Sequence, residues 1–225
     1  MKNFFALILF LFIGSANAQI HEFGAFLGGS NVVGDVGTSS FINPNEPAFG
    51  ILYKWNKTPR LAFRFSYTQS TVAGDDAKST IKSKISRNLS FKNDIKEASV
   101  GIEFNFFDFD LSKPGQKTTP YVYTGVSYFG YSQLFFVGKQ LKEDYYSSSL
   151  AIPMTVGVKS QISDHFILGF EAGARYTFTD DIDGSNPKNP NLATLRFGNL
   201  NDKDWYVFTG VTLTYTFGRK PCYCN

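Results

Sequence analysis

The sequence contains few side chains of the kinds that carry out nucleophilic or metal chemistry. It has two histidines, His21 and His165, and neither lies beside a serine or cysteine in a recognisable catalytic motif. Its two cysteines, Cys222 and Cys224, both lie at the C-terminal end. We therefore expect a protein that is not an enzyme, with no catalytic residue, no cofactor and no metal site.

The two cysteines belong to a short basic segment that follows the last predicted strand. Residues 218–225 read GRKPCYCN and face an oxidising compartment if the chain is exported. Cysteines two positions apart bridge each other only with strain, and zinc would need further ligands that are not nearby. A strained local bridge and unpaired thiols stay open, but an intermolecular disulfide or protein contact is favoured. The predicted contact residues are Arg219, Lys220, Cys222, Tyr223 and Cys224.

Two charged runs elsewhere in the chain are also candidates for binding. The run Asp180-Asp181-Ile182-Asp183-Gly184 resembles the start of a calcium loop, but the later acidic ligand of that spacing is missing. We interpret it as a glycine turn with exposed acids. The basic run Lys78–Lys92 is typical of a solvated loop surface. Contact with anionic lipopolysaccharide is the alternative for that run.

The elements that must position these groups are predicted to be strands. Residues 204–217 alternate between an aliphatic face with aromatics at both ends and a face rich in threonine, as expected of a lipid-facing strand between two aromatic belts. Seven further segments alternate in the same way. The eight predicted strands are approximately Ile20–Gly29, Ala48–Trp55, Leu61–Thr68, Ile95–Phe107, Tyr121–Tyr128, Leu150–Lys159, His165–Phe178 and Asp204–Phe217. Pro153 within the sixth suggests a bulge.

The connections between these strands distinguish a membrane barrel from a soluble sandwich. Long connections follow strands 1, 3, 5 and 7, whereas the connections after strands 2, 4 and 6 are shorter. Gln69–Asp94 and Gly130–Ser149 are predicted to be two of the long loops. Outer-membrane barrels have this asymmetry and an even strand number. A soluble β-sandwich, the alternative, provides no reason for either property.

The N-terminus indicates export across a membrane. Met1–Ala18 has a charged start, a short apolar run and the small-residue pattern Ala16-Asn17-Ala18, as in a signal peptide. The residue directly after the predicted cleavage site is Gln19 and not a cysteine, which argues against a lipoprotein. A net charge of +3 is too even to suggest a nucleic-acid partner. The fold class predicted is all-β, an OmpX/OmpW-like eight-stranded antiparallel transmembrane β-barrel over residues 19–217, in the outer membrane with both termini in the periplasm.

The polar faces of the predicted strands carry a balanced set of charges that would meet inside the barrel. An eight-stranded barrel is about wide enough for its own side chains to fill, so paired charges would form a hydrogen-bonded plug rather than a pore. The predicted network consists of Glu22, Lys54, Arg64, Glu97, Glu103, Lys159, Glu171 and Arg175.

Several segments, in order and spacing, resemble the PorG-like outer-membrane barrels of the type IX secretion and gliding motility machinery. They are Gly28–Asn31 with Gly34-Asp35, Pro47–Asn56 (PAFGILYKWN), Arg64–Gln69 (RFSYTQ), Gly101–Leu111 (GIEFNFFDFDL), Thr119–Val126 (TPYVYTGV), Leu150–Lys159 (LAIPMTVGVK), Ala174–Gly184 (ARYTFTDDIDG) and Trp205–Cys224. The likeness covers essentially the whole chain after the predicted signal.

The resemblance implies a non-enzymatic scaffold that anchors or helps assemble a periplasmic ring made of a lipoprotein and its partner protein. Outer-membrane lipid or lipopolysaccharide would be the other partner. By topology, the C-terminal tail and the connection Asp108–Thr119 lie on the side that faces such a ring. The alternative is a small outer-membrane barrel that acts as a minor pore or in adhesion at the cell surface.

Overall fold

The computed structural model describes residues 20–113, 115–199 and 201–218, and these residues form one closed barrel. The predicted signal peptide and the cysteine-bearing tail, residues 219–225, lie outside the described residues. The strands are β1 (Ile20–Val33), β2 (Glu46–Asn56), β3 (Leu61–Asp75), β4 (Ser90–Asn105), β5 (Thr118–Val137), β6 (Gln140–Gln161), β7 (Phe166–Thr177) and β8 (Trp205–Gly218). Helical structure comprises α1 (Lys82–Arg87) and two 3₁₀ segments, Asp76–Lys78 and Pro190–Leu195.

The eight strands pair antiparallel in chain order, and the last strand returns to the first. β1 and β8 are paired from Ile20 opposite Gly218 to Val33 opposite Trp205. The predicted fold class, an eight-stranded antiparallel barrel, is therefore confirmed. We call the end at Ile20 and Gly218 the terminal end and the opposite end the distal end. Among the described residues, no helix combines the length and apolar character needed to cross a membrane.

The two faces of each strand differ because one contacts the surroundings and the other contacts only protein. The outward face is apolar and exposed over the middle of the barrel, which is the pattern of a lipid-facing wall. Its large members include Phe23, Leu27, Phe49, Ile51, Phe63, Phe65, Val100, Ile102, Val126, Met154, Val156, Leu168, Phe170, Val211 and Leu213. The inward face carries buried polar and charged side chains towards the terminal end and apolar ones towards the distal end.

The strands β1 to β6 all extend further at the distal end than the sequence predicted, and the extensions of β3, β5 and β6 are the longest. β3 continues to Asp75 and β4 begins at Ser90, so the predicted loop over residues 69–94 is mostly strand. The predicted loop over residues 130–149 is likewise a hairpin that turns at Gly138 and Lys139. These extensions rise beyond the apolar wall. Their outward positions are mostly polar, although Val137 at the hairpin tip is exposed, and the pattern of a lipid-facing strand no longer applies to them.

The prediction of a bulge at Pro153 was wrong. Pro153 stays in register opposite Arg175 of β7. The register shift in β5 and β6 lies between Ser132 and Leu134 instead, where Gln133 is buried. Because Pro153 lacks a backbone N–H, an interruption of hydrogen bonding to one neighbouring strand accommodates it without an inserted residue.

Glycines allow neighbouring strands to approach closely inside the barrel. Gly101 and Gly125 are paired across β4 and β5, and both face inward. A Cβ atom built on Gly101 would lie 2.8 Å from the Cα atom of Gly125, closer than side-chain atoms normally come. A second inward pair, Gly28 and Gly210, has the same arrangement. These pairs permit the tight coiling that a narrow barrel requires.

Two apolar clusters close the barrel at its ends. The distal cluster joins inward strand residues to loop residues, and its members include Val36, Val72, Leu89, Phe91, Phe136 and Ile182. The terminal cluster is smaller and consists of Ile20, Phe109, Leu111 and Ile167. Apolar side chains therefore cover the charged layer on both sides.

Candidate functional site

The eight predicted interior charges are all buried in the barrel, and most of them meet in two groups. Glu22, Lys54, Arg64, Glu97, Glu103, Lys159, Glu171 and Arg175 each have 5% or less of their surface exposed. They lie on six of the eight strands, and the alternation of β-structure turns each of them inward. All of them except Glu22 form ion pairs with one another.

Glu103 is the centre of the larger group. Its carboxylate lies 2.8 Å from Nζ of Lys54, 2.5 Å from Nζ of Lys159 and 3.8 Å from a guanidinium nitrogen of Arg64. One carboxylate thus faces three cations in a region without exposed surface. Because a buried charge is stable only when it is paired, Glu103 serves as the counter-ion of both lysines.

Arg64 connects this centre to a second carboxylate. Its two terminal nitrogens donate to the two oxygens of Glu171 at 2.7 and 2.8 Å, a bidentate pair. The hydroxyl of Tyr121 donates to the same carboxylate at 2.5 Å. The Arg64 guanidinium also lies 4.9 Å from the ring centroid of Tyr123.

A separate pair lies closer to the distal end. Arg175 contacts Glu97, with Nε 3.2 Å from Oε2, and the hydroxyl of Tyr206 donates to the same oxygen at 2.5 Å. The guanidinium of Arg175 lies 4.3 Å from the ring centroid of Phe208. Each charge in this pair is therefore covered by an aromatic side chain.

Glu22 differs from the other three carboxylates because neutral groups hold it. Asn56 and Thr214 each donate to its carboxylate at 2.8 Å. Lys54 is its Cα partner on the neighbouring strand, but the lysine ammonium contacts Glu103 instead. The balanced set therefore contains one carboxylate that is held without a cation.

The inward aromatic residues were not predicted to take part in the network. Tyr121, Tyr123, Tyr206 and Phe208 all occupy inward positions of the alternation, and each contacts one of the charged groups. The alternation of inward and outward positions in the sequence already placed these residues on the inward face. Which carboxylate each hydroxyl would reach depends on the stagger of the barrel, which no local pattern encodes.

Little space remains between these side chains. A cavity in the middle of the barrel, lined by Arg64, Glu171, Arg175 and Phe208 among others, has a volume of about 10 Å³. That volume is about enough for one water molecule. The arrangement can fix the strands relative to one another, and its side chains fill most of the space between them.

The loops of the distal end are folded over the barrel by buried carboxylates. Asp76 accepts hydrogen bonds from the backbone of Gly37 and Leu89 and from Arg87. Burial opposes ionisation, but these donors hold the pKa of Asp76 below its usual value. Lys84 donates to the carbonyl oxygens of Gly34 and Gly37. We call these folded loops the cap. Part of the basic run Lys78–Lys92 therefore holds the cap together instead of facing solvent.

The acids of the run Asp180–Gly184 are buried, so the prediction of exposed acids was wrong. The run lies under the cap, where Asp183 accepts from the backbone of Val36 and Ser185. Asp204 accepts from the backbone of Ile182. Burial, with Asp183 nearby, raises the pKa of Asp180 to about 6 and that of Asp204 well above its usual value. Among the described residues, no group of three or more His, Cys, Asp or Glu side chains is arranged to hold a metal ion.

The connection between β4 and β5 covers the terminal end. Phe109 turns into the barrel, where its backbone N–H donates to Pro59 and its ring lies 4.8 Å from Nζ of Lys159. The neighbouring Phe107 is 61% exposed, and Phe106 is also exposed. An exposed ion pair between Arg60 and Asp108 lies beside them. This end therefore combines a closed floor with an accessible aromatic surface.

Both histidines pack among aromatic residues near the terminal end. His21 contacts the hydroxyl of Tyr53 at 2.7 Å and stacks on the rings of Tyr53 and Phe217. His165 packs on Tyr215. The predicted contact residues Arg219, Lys220, Cys222, Tyr223 and Cys224 lie outside the described residues.

A closed eight-stranded barrel with an apolar wall and a filled, charged interior has the fold of the small outer-membrane β-barrel proteins. The chain belongs to the family described as a domain of unknown function, DUF6089, whose model matches residues 1–225. A search of curated proteins finds no match.

Solved structures with a similar fold include three small barrels. Ail of Yersinia pestis, in complex with the heparin analogue sucrose octasulfate, is 10% identical, with 89% of this chain and 99% of that chain covered and a TM-score of 0.48. The N-terminal barrel domain of Pseudomonas aeruginosa OprF is 10% identical, with 89% and 98% covered and a TM-score of 0.48. Neisserial surface protein A is 12% identical, with 89% and 96% covered and a TM-score of 0.46. At these identities the likeness extends to the fold alone.

Proposed function

We propose that this protein is a non-enzymatic scaffold in the outer membrane, which acts through its periplasmic end on a type IX secretion apparatus. The observation that carries the proposal is the combination of a filled interior with an exposed aromatic surface at the terminal end. Because the interior is closed by side chains, the function is assigned to the surfaces. The periplasmic ring lipoprotein and its partner protein are the proposed partners, on the basis of the sequence resemblance.

The outward wall supports a location in a membrane. Its exposed side chains are apolar over the middle of the barrel, and tyrosine and tryptophan residues lie at both borders of this region. Such a wall is unfavourable in water because it leaves a large continuous apolar area unburied. Aromatic borders of this kind are found at the two interfaces of outer-membrane barrels.

The connections support an orientation with the terminal end in the periplasm. At that end they comprise residues 57–60, 106–117 and 162–165. At the distal end they include residues 34–45, 76–89 and 178–204, with the projecting hairpin of β5 and β6 between them. Short periplasmic turns and long outer loops are the usual arrangement. Both chain ends would then lie on the periplasmic side.

The terminal end offers the features of a protein contact. Phe107 is largely exposed, Phe106 and Ile162 are also exposed, and Arg60 with Asp108 supplies a polar margin. Aromatic residues surrounded by polar ones are enriched in protein interfaces. The cysteine-bearing tail follows β8 from this same end, so both would face one partner.

Adhesion is the second candidate function, because the β5–β6 hairpin projects beyond the barrel. Its distal half pairs with no strand other than its own partner within the described residues, and it exposes Tyr145 and Tyr146. If cells that carry the protein lose their binding to a surface or to other cells when this hairpin is removed and the tail is left intact, adhesion is favoured.

The test is a non-reducing pull-down of tagged protein from gently extracted outer membranes, with mass spectrometry of what co-purifies. We compare wild type with Phe107→Asp and with Cys222→Ser/Cys224→Ser. The control is Val137→Asp, which introduces the same charge at an exposed position of the distal hairpin. We expect a periplasmic lipoprotein in the wild-type and Val137→Asp samples and its loss from Phe107→Asp, with a thiol-sensitive adduct missing from the double serine variant. Recovery of the barrel alone from the wild type would refute the proposal.

A further inference from the structure

A hollow lies on the outward wall where the apolar region ends towards the distal end. It is formed on β3 to β6 by Tyr67, Lys96, Ala98, Tyr128, Gly130 and Tyr146, and we call it the tyrosine hollow. Ser147 and Ser148 also line it, and its volume is about 550 Å³. Tyr128 and Tyr146 are 57% and 59% exposed, so the hollow is open to the surroundings.

The hollow exists because small and large side chains alternate across neighbouring strands. Ala98 is the Cα partner of both Tyr67 and Tyr128, and Gly130 is the partner of Lys96. The two small residues form a floor between tyrosine walls. A Cβ atom on Gly130 would collide with the ring of Tyr146, which lies across that position.

Hydrogen bonds fix two of the tyrosine walls. The hydroxyl of Tyr128 donates to Oγ of Ser148 at 2.7 Å. Nε2 of Gln69 donates to the hydroxyl of Tyr67 at 2.9 Å, so this hydroxyl keeps its own proton available for an acceptor. The walls are therefore held in place before any ligand arrives, which reduces the cost of ordering them.

Lys96 supplies a cation at the margin of the hollow that is nearer the distal end. It is exposed and forms no ion pair with any residue that the structure describes. Glu97, the next residue, faces the interior and pairs with Arg175, and the nearest acid on the outward face of β4, Asp94, accepts a hydrogen bond from Thr71 at 2.8 Å. An ammonium group beside phenolic hydroxyls, without a counter-ion of its own, favours an anion with several oxygen acceptors.

The level of the hollow identifies the source of that anion. Towards the terminal end, the same outward faces continue with Phe65, Val100 and Val126, which are exposed and apolar. Towards the distal end they become polar, with Thr71, Asp94 and Ser132. The hollow therefore lies at the border between the two regions, where a lipid carries its headgroup.

We propose that the tyrosine hollow binds the phosphate-bearing headgroup of an anionic outer-leaflet lipid. The phosphate contacts Lys96 and the hydroxyl of Tyr67, and an acyl chain lies over Ala98 and along the apolar wall on its terminal side. The inference rests on the proposed membrane location. It assigns a residue-level contact for lipid to the barrel wall, whereas the sequence had suggested the basic loop Lys78–Lys92.

The experiment is a titration of the purified barrel, in non-ionic detergent micelles, with diphosphoryl lipid A, followed by native mass spectrometry. We expect Lys96→Gln to weaken binding at least about tenfold, because a charge-assisted hydrogen bond is lost. Lys96→Arg should retain binding, and Ala98→Leu should reduce it by filling the floor while keeping the charge. Lys139→Gln is the matched control, since it removes a lysine from the tip of the distal hairpin.

Two results would overturn the inference. One is equal binding by Lys96→Gln and wild type, or equal loss in Lys96→Gln and Lys139→Gln, which would indicate attraction by overall charge. The other is equal binding of phosphate-free diacylglycerol. Insertion into phosphatidylcholine vesicles, followed by the heat-dependent shift in electrophoretic mobility, is measured in parallel. A barrel that inserts without Lys96-dependent binding refutes the hollow alone, whereas failure to insert refutes the membrane location.

Discussion

Replacing Glu103 with glutamine should destabilise the barrel more than any other single change of one interior carboxylate to its amide. The side chain keeps its shape, but Lys54 and Lys159 lose the carboxylate that lies 2.8 and 2.5 Å from their Nζ atoms. Breaking a buried ion pair by removing one partner costs about 3–5 kcal/mol, and here two ammonium groups lose their closest anion. We therefore expect a loss at the upper part of that range.

The assay is unfolding by urea in detergent micelles, followed by the fluorescence of Trp55 and Trp205, which report the two ends of the barrel. The matched control is Glu22→Gln, an identical change at an equally buried carboxylate that accepts from Asn56 and Thr214 and, among the residues that the structure describes, forms no ion pair. Its loss should be smaller because no ammonium group is left without an anion. If Glu103→Gln is no less stable than Glu22→Gln, the interior lysines do not depend on Glu103 and the reasoning is refuted.

Three further predictions address other parts of the molecule. Arg64→Leu should cost about 3 kcal/mol by leaving the carboxylate of Glu171 unpaired, and an unchanged urea midpoint would contradict this. The raised pKa of Asp180, about 6, means that the folded cap favours the protonated acid, so the stabilisation is lost as pH rises through about 6. Proteolysis of residues 178–204 should therefore slow as pH falls from about 7.5 to about 5 in wild type. Asp180→Asn should show a smaller slowing, because the pKa values of Asp183 and Asp204 are also raised and act with the same sign. Gly125→Val should abolish the heat-dependent mobility shift because its side chain would meet the backbone at Gly101, and a normal shift would show that the strands can separate there.

The sequence was sufficient for the strands inside the apolar region. There, lipid on one side and protein on the other impose strict alternation, so Phe63 and Phe65 were correctly separated from Arg64. Beyond the wall, both faces of a strand contact water or loops. The segments around Thr71 and Tyr146 are polar on their outward side, and they were therefore read as loops.

The interior could be predicted as a set of residues but not as a set of contacts. Inward parity identified Glu22 and Glu103 equally well, yet one is held by neutral donors and the other by three cations. The stagger between strands decides this, and it emerges only when the barrel closes. The burial of Asp183 has a similar origin, because it depends on a cap made with Val36 from a distant part of the chain.

The pairing of β1 with β8 has a consequence for how the molecule folds. Ile20 lies opposite Gly218, so the contact that completes the barrel joins the two extremes of the described chain. Contacts between residues far apart in sequence form slowly, because the entropy of closing a long loop is lost before the contact forms. β8 follows the other seven strands of the barrel in the chain and is the strand that pairs with β1, so β1 presents an unpaired edge until β8 has been made. We therefore expect assembly to be slow and all-or-none, with a partner needed to shield that edge while the polypeptide awaits its final strand.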